Sequence, residues 1–256
     1  MKADVYGLDG KKIKSIELPV QFTEDYEPDL IKRAVLTIFS HERQKYGAMA
    51  RAGKEYSAKL SRRRRDYKGS YGKGISRVPR KTMWRRGLQF GWVGALAPGT
   101  VGGRRAHPPK PEKNWDLKMN NKERKKAIRS ALSGALLQNK LFVVENKLED
   151  LKKSKDVTNT FKTLGINFDS VKRKMAGRGK SRGRVSTYKK NALVVVAKTC
   201  ELQKAIANLP GFDVVDANSI NAKLLTLGHE GVRRCIFTEG ALEKISKENL
   251  FLDKKK

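Results

Sequence analysis

Residues 192–215, ALVVVAKTCELQKAIANLPGFDVV, decide the fold of this chain. The continuously apolar run at 192–197 is typical of a strand that is covered on both faces in a parallel sheet. Residues 201–209 have a helical pattern, and Pro210-Gly211 ends that helix before a second predicted strand at 212–215. A strand, a helix and another strand of these lengths in succession indicate an α/β protein.

The same alternation extends in both directions along the chain. Strands are predicted at 1–8 and 11–18, on either side of a tight Asp9-Gly10 turn, and again at 141–145 and 234–238. Helices are predicted at 28–39, 122–138, 157–164, 219–227 and 239–247. Asn120 and Glu123 predict an Asx variant of the capping box ahead of the second helix. The expected fold class is α/β, with a mostly parallel sheet flanked by helices and a long irregular basic loop inserted.

The positive charge of the chain is concentrated in two segments. The whole chain has 57 Lys and Arg against 26 Asp and Glu, a net charge of +31, and residues 43–110 hold 19 basic and only 2 acidic side chains. Residues 172–190 hold 9 basic side chains and no acidic one, so the two segments account for 26 of the 31 excess charges. The predicted organisation is therefore a globular domain from 1–42 and 111–256, with 43–110 as an extended basic loop and 172–190 as a second basic segment within the globular domain.

Residues 43–110 lack a sustained helical or strand pattern and contain 11 of the 22 glycines and 7 of the 19 aromatic residues. Such a segment cannot bury enough apolar area to order itself. Glycines let a backbone approach phosphates closely, and flat aromatic faces stack on bases. A disordered basic linker is the alternative, but Trp84 and Trp92 favour an ordered bound state.

Several classes of protein are excluded by the sequence. A chain this basic binds polyanions, which argues against a small neutral substrate, and it has no apolar run that predicts a secretion signal or a membrane span. The two cysteines are too few for a disulfide scaffold and indicate a reducing compartment. Gly179-Lys180-Ser181 lacks the earlier glycine of a P-loop, and no dinucleotide fingerprint follows a strand. His229-Glu230 lacks the second histidine of a zinc-protease helix, so no metal site is predicted.

Three basic clusters predict contacts with structured RNA. Arg62–Arg65 is a dense block, 175–184 is a second Arg/Gly segment, and several cations crowd the predicted helix start near 122. Arginine offers a planar fork for phosphates and stacks on bases. The alternative for Arg62–Arg65 is a solvated charged face, and the alternative for 175–184 is a flexible surface loop. The alternative for the cations near 122 is simple exposure to solvent.

Several long stretches resemble one family over essentially the whole chain. They are Gly102-Gly-Arg-Arg-Ala-His-Pro-Pro-Lys110, residues 121–132, residues 176–184, residues 209–216 and residues 237–244. The chain resembles the large-subunit ribosomal protein four family, in its archaeal or eukaryotic type, with the archaeal type expected.

The resemblance implies a structural constituent of the large ribosomal subunit, not an enzyme. It implies that the protein binds ribosomal RNA, assists subunit assembly, contacts neighbouring ribosomal proteins, and lines part of the nascent-peptide exit tunnel. It also implies a cytoplasmic, ribosomal location with no membrane and no small-molecule substrate. No cofactor is expected, because any structural Mg²⁺ would belong to the RNA. An RNA-modifying or RNA-cleaving enzyme on an α/β scaffold, and a free-standing RNA chaperone or regulator, remain as alternatives.

The resemblance also implies that the loop tip falls within 72–86 and that Arg104, Arg105 and His107 lie on the returning arm. The candidate tunnel-tip residues are Gly72, Lys73, Gly74, Ile75, Ser76 and Arg77. The candidates for stacking on bases are Tyr67, Tyr71, Trp84 and Trp92. The predicted RNA-binding residues are Arg51, Lys54, Arg62, Arg63, Arg64, Arg65, Lys68, Lys73, Arg77, Arg80, Lys81, Arg85, Arg86, Arg104, Arg105, His107, Lys110, Lys122, Arg124, Lys125, Arg129, Arg173, Lys174, Arg178, Lys180, Arg182 and Arg184.

Overall fold

The computed structural model describes residues 1–166, 172–228 and 231–253, which form two compact units. The first, which we call the sheet unit, comprises Met1–Glu42 and Asp116–Lys256, and the second, the basic unit, is Arg43–Trp115. Along the described chain the strands are β1 Lys2–Tyr6, β2 Lys12–Glu17, β3 Ala58–Lys59, β4 Arg80–Arg86, β5 Gln89–Gly94, β6 Leu141–Val144, β7 Lys172–Lys174, β8 Ser186–Tyr188, β9 Ala192–Val196, β10 Asp213–Asp216 and β11 Arg234–Thr238. The helices are α1 Pro28–Glu42, α2 Asn121–Leu137, α3 Ser154–Thr163, α4 Arg178–Ser181, α5 Leu202–Ala207, α6 Ala222–Leu225 and α7 Glu239–Lys247.

The sheet unit is built on one sheet whose strands, among the described residues, lie in the order β10-β9-β11-β6-β1-β2. The first five run parallel to one another, and β2 pairs antiparallel with β1 across the Asp9-Gly10 turn. This confirms a mixed α/β fold with a mostly parallel sheet.

β9 is buried along its full length because helices cover both faces of the sheet. Leu193 and Val195 pack into the cluster that contains the buried faces of α1 and α2. Val194 and Val196 point the other way, into the cluster that contains α3 and α5. Each such side chain contributes about 1.5–3 kcal/mol on burial, so the apolar run in the sequence identified the centre of the fold.

The sequence predicted the start of α1 correctly but not the cap at the start of α2. α1 begins at Pro28, as predicted, and buries Ile31 and its neighbours on one face. The predicted capping box is wrong, because the Asn120 side chain makes no capping hydrogen bond at the start of α2. The Glu123 carboxylate faces α1 instead, 3.7 Å from the Arg33 guanidinium, and its Oε2 atom is buried without a hydrogen-bond partner among the described residues.

The basic unit is not the wholly irregular segment that the sequence predicts. β4 and β5 form an antiparallel hairpin, and β3 adds a short third strand beside β4. The register shifts between Thr82 and Trp84, and most of β4 is exposed. A strand that has no buried face and is broken by an irregularity shows no alternation of apolar residues, which is why the pattern missed it.

The second basic segment also contains strands that the sequence did not predict. β7 and β8 pair antiparallel from Lys172 opposite Tyr188 to Lys174 opposite Ser186. The single turn of α4 lies between them. Five of the six strand residues are Lys, Arg, Ser or Thr, and the sixth is the exposed Tyr188, so hydrophobic periodicity could not reveal these strands.

Candidate nucleic-acid interface

The four arginines at 62–65 lie exposed in a tight turn of the basic unit. Ser61 and Gly69 form a β-bridge across the turn, and Arg65 and Lys68 both have φ near +61°. A hydrogen bond from Ser61 lowers the pKa of Asp66, which keeps this carboxylate ionised inside the turn. Within the described residues none of the four guanidinium groups forms a salt bridge, so the turn offers them to solvent.

The aromatic side chains of the hairpin divide into exposed and occupied rings. Trp84 is 54% exposed and Tyr67 is 52% exposed. Trp92 is half-buried instead, with its ring 5.3 Å from that of Phe90 and the Arg80 guanidinium 5.2 Å above it. The Tyr67 ring also packs 5.4 Å from Phe90, with the Lys68 ammonium group 5.6 Å from it, so Tyr67 is exposed and partly occupied, whereas Trp92 is packed within the unit.

Trp84 lies directly opposite Gly91 in the register of β4 and β5. A Cβ atom at position 91 would overlap the Trp84 indole. Gly91 is thus required for a close approach, because its missing side chain leaves the space in which the indole crosses the neighbouring strand.

The candidate tunnel-tip residues form a succession of exposed turns. Gly72 and Gly74 have φ of +72° and +65°, and nothing lies within 4 Å of a Cβ at either position. The Arg77 guanidinium stacks 5.1 Å from the ring of Tyr71, and Ser76 accepts a hydrogen bond from Arg80 at 3.0 Å. The backbone at Gly72 and Gly74 therefore has open space beside it. Closer to the start of β4, the contacts of Arg77 and Ser76 hold the chain in place.

The two ends of the basic unit meet each other. The ring of Tyr46 lies 4.9 Å from that of Trp115, and the Arg43 guanidinium lies 4.8 Å from the Trp115 ring. Ala48 N–H donates to the Pro109 carbonyl at 3.0 Å. This closure holds the arm that carries the following exposed residues: Arg51, Lys54, Arg104, Arg105, His107 and Lys110.

The remaining predicted cations of the basic unit lie on or beside the hairpin. Lys73, Arg85 and Arg86 are exposed. Lys81 and Lys68 are half-buried, because their ammonium groups lie over the rings of Tyr56, at 3.7 Å, and Phe90, at 5.2 Å.

The second segment presents its arginines from a turn between β7 and β8. Met175 N–H donates to the Val185 carbonyl at 2.9 Å, and Arg184 N–H donates to the Gly179 carbonyl at 3.0 Å. Gly177 has φ of +58°. These bonds close the turn, and the predicted RNA-binding cations around it are all exposed, namely Arg173, Lys174, Arg178, Lys180, Arg182 and Arg184.

The cations at the start of α2 are not equivalent. Lys122 and Arg124 are exposed. Lys125 donates to the Leu252 carbonyl at 2.8 Å. Arg129 is only 12% exposed and donates to Glu24 and to the Phe251 carbonyl, each at 2.7 Å. The last two side chains hold the C-terminal residues of the described chain, so less of their charge is available to an outside partner.

Buried arginine and thiol groups complete the chemistry of the sheet unit. Arg233 is 2% exposed and donates to Asp213 Oδ2 at 2.6 Å and to three backbone carbonyl groups.

Burial raises the pKa of the Cys235 thiol to about 12, and it also raises the pKa of the half-buried Cys200 thiol. Both cysteines are free. Neither thiol has the lowered pKa that a nucleophile requires.

In the described ranges, no group of three or more His, Cys, Asp or Glu side chains is arranged to hold a metal ion. No helix in the same ranges is both long and apolar enough to span a bilayer. His229-Glu230, which the sequence analysis weighed as a zinc motif, lies outside the described residues.

Sequence reasoning placed Lys189 and Lys190 in the second basic segment but missed the cations that join them at the amino ends of the parallel strands. The group lies at the start of three adjacent strands or within the few residues before it, and consists of Lys140, Lys189, Lys190, Arg233 and Arg234. All three strands were predicted, and basic residues precede each of them, with Asn191 between Lys190 and β9; the sequence did not show that the three strands are neighbours in the sheet.

Comparison with known proteins identifies one family over nearly the whole chain. A family model described as "Ribosomal protein L4/L1 family" matches residues 16–248. The chain is 41% identical to the "Large ribosomal subunit protein uL4" of Nanoarchaeum equitans, over 98% of this chain and 100% of that protein. It is 40% identical to the protein of the same name from Archaeoglobus fulgidus, over 95% and 97% of the two chains. The Methanocaldococcus jannaschii protein of that name is 39% identical, over 96% and 98%.

Proposed function

We propose, from the premise that this chain belongs to the ribosomal protein L4/L1 family, that it is a structural constituent of the large ribosomal subunit. The family resemblance expected from the sequence is confirmed, and the relatives with the highest identity given above are archaeal. The chain is a binding and structural protein, not an enzyme, so the alternative of an RNA-modifying or RNA-cleaving activity falls away. Its location is the ribosome, and hence the cytoplasm. Its partners are ribosomal RNA and other ribosomal proteins.

The observation that carries this function is the exposure of unneutralised arginine and lysine in two segments. Residues 43–110 and 172–190 hold 26 of the 31 excess positive charges, and the four arginines at 62–65 lie exposed without a salt bridge in the described chain. In a protein with this charge distribution the basic side chains repel one another in isolation. Phosphates around these segments neutralise that charge and supply most of the binding free energy.

We propose that the basic unit enters folded ribosomal RNA as the extended loop, with 172–190 as a second phosphate-binding segment. Exposed rings of Tyr67 and Trp84 support stacking on unpaired bases. The finer proposal is that residues 72–77 reach the wall of the exit tunnel and face the nascent peptide. The open space around Gly72 and Gly74 supports it, because a backbone without side chains fits closely against RNA or peptide.

The protein is proposed to work without a cofactor of its own. Mg²⁺ ions near its arginines would belong to the RNA, since the candidate RNA-binding set consists of cations, which repel a metal ion. The basic segments contain only Glu55 and Asp66 as acidic residues.

The experiment that tests this function compares the salt dependence of RNA binding for two matched variants. In the first, Arg62–Arg65 are changed to Ala. In the control, four exposed helix lysines of the sheet unit, Lys32, Lys155, Lys162 and Lys204, are changed to Ala. Each lost phosphate contact reduces the magnitude of the negative slope of log K against log salt by about 0.7–0.9. The magnitude of the slope should therefore be smaller by about three for the arginine variant than for the parent. The control keeps the slope of the parent. Equal slopes for the arginine variant and the parent would exclude that block from the interface.

A further inference from the structure

The amino ends of β6, β11 and β9 bring five cations to one edge of the sheet. Cys235 pairs with Leu141, and Arg234 pairs with Ala192, so the three strands begin nearly in line. Neighbouring strands lie about 4.8 Å apart, so residues that precede these strands are spread over about 10 Å. We call this group the amino-edge cluster: Lys140, Lys189, Lys190, Arg233 and Arg234.

The cluster borders concave surface. A cleft of about 280 Å³ is lined by Lys140, Lys189, Lys190 and Arg234 together with Asn191, Leu227 and Val232. A second cleft of about 750 Å³ shares both Lys189 and Lys190 and adds further cations, among them Arg173 from β7. The two clefts therefore form one basic surface that continues into the second basic segment.

Three of the five cations are held in place by the protein. Arg233 and Lys190 both bind the Asp213 carboxylate, at 2.6 and 2.7 Å. The Lys140 ammonium group donates to the Val232 carbonyl at 3.0 Å and to the Gln138 side chain at 2.8 Å. Asp213 is the one carboxylate that lines these clefts in the described part of the chain, and two cations share it. The cluster therefore retains a net charge of about four.

The other two cations of the cluster form no salt bridge with any described residue. These are Lys189 and Arg234, and both side chains are exposed. Because like charges at short range repel, an outside anion bound here would lower the electrostatic energy of these side chains.

The opposite edge of the same sheet has a different character. Four carboxylates lie at or soon after the carboxyl ends of the strands, namely Glu145, Glu149, Asp216 and Glu239. Glu149 already accepts hydrogen bonds from Thr238 Oγ1 at 2.6 Å and from Ala197 N–H at 3.0 Å. Open α/β sheets usually bind ligands at the carboxyl edge. Here two of the four carboxylates already pair with lysines, Glu145 with Lys147 and Glu239 with Lys14, whereas Lys189 and Arg234 at the amino edge have no carboxylate partner among the described residues.

We propose that the amino-edge cluster binds the phosphate backbone of RNA, and that it extends the second basic segment, to which Lys189 and Lys190 belong, across the starts of β6 and β11. This inference rests on the proposed function and adds a surface to it. RNA fits better than an acidic protein because Lys189 follows β8 directly, so the cluster continues the surface that we propose for RNA. Lys189 and Arg234 bind phosphate, and Arg233 positions the strand ends that carry them.

The test measures binding of the full chain to full-length large-subunit ribosomal RNA transcribed in vitro, between 0.1 and 1 M salt. One double variant is Lys189→Gln with Arg234→Gln, and the matched control is Lys155→Gln with Lys162→Gln on α3. All four side chains are exposed, so both variants should melt at the temperature of the parent. Two lost phosphate contacts lower the slope of log K against log salt by about 1.5. With an unchanged affinity at 1 M salt, that slope corresponds to about 30-fold weaker binding at 0.1 M.

The outcomes separate this inference from the function on which it rests. A reduced slope for the amino-edge variant, with no change in the control, supports it. A parental slope for that variant, when the Arg62–Arg65 variant still loses about three units, overturns the inference and leaves the function intact. Parental slopes for both variants would contradict both proposals. Unchanged RNA binding combined with poor incorporation into subunits would show that the cluster contacts an acidic protein, which also overturns the inference.

Discussion

Replacing the buried Arg233 with Ala is the sharpest test of how the sheet holds its amino edge together. Arg233 is 2% exposed and donates to Asp213 Oδ2 and to the carbonyl groups of Asn191, Ala192 and Gly211, at 2.6–3.3 Å. It therefore joins the starts of β9, β10 and β11. Removing one partner of a buried ion pair costs about 3–5 kcal/mol, because the remaining charge and the carbonyl groups lose their donors.

The expected result is a loss of about 3–5 kcal/mol in the free energy of unfolding, measured by urea denaturation and followed by far-UV circular dichroism. For a unit of this size, the melting temperature should fall by about 10 °C. Arg233→Lys should lose less, because it keeps the charge but not the planar fork. Lys190→Gln is the matched control for Asp213. The Lys190 side chain is 58% exposed, so its loss should cost about 1 kcal/mol or less.

The pH dependence gives the same test a second readout. Burial alone would raise the pKa of Asp213, but hydrogen bonds from Lys190 and Arg233 outweigh it and hold this pKa below its ordinary value of 3.8. A lowered pKa in the folded state contributes stability that is complete above pH 3.8 and is lost as pH falls through the folded-state pKa. The difference between parent and Arg233→Ala should therefore shrink below pH 4. A loss under 1 kcal/mol, or a difference that is constant with pH, would refute the role assigned to this ion pair.

Three further predictions concern the thiols, the hairpin and the core. Iodoacetamide at pH 8 should label Cys200 slowly and Cys235 only after unfolding, because burial raises the pKa of both thiols and encloses Cys235; equal labelling of the native protein would contradict this. Gly91→Ala should move the Trp84 indole N–H resonance in a ¹H–¹⁵N spectrum, since the new Cβ overlaps the indole; an unmoved resonance would show that the ring lies elsewhere. Phe161→Ala should cost about 3–5 kcal/mol in urea unfolding, because this buried ring stacks 5.2 Å from Phe212, and a cost under 1 kcal/mol would contradict that packing.

The sheet unit could be predicted because its strands and helices bury apolar residues at regular spacing. β9 is the clearest case, since burial on both faces forces a continuous apolar run. The hairpin of β4 and β5 could not be predicted in this way. Its strands are mostly exposed, and the irregularity between Thr82 and Trp84 interrupts the alternation.

The candidate site shows the same division between local and tertiary information. The exposure of the arginines at 62–65 follows from local charge density, which no nearby acid neutralises. By contrast, Lys125 and Arg129 hydrogen-bond to the carbonyl groups of Leu252 and Phe251, which are more than 120 residues away in the sequence. Position in the sequence cannot show such partners, and neither can it show that basic residues before three separate strands meet at one edge.

A density map of the large ribosomal subunit with this protein in place tests the central claim most directly. The account predicts continuous density for residues 43–110 and 172–190 inside ribosomal RNA, with phosphate oxygens within about 3 Å of several guanidinium groups. Density that places these two segments in solvent, with the sheet unit alone touching the subunit, would contradict it.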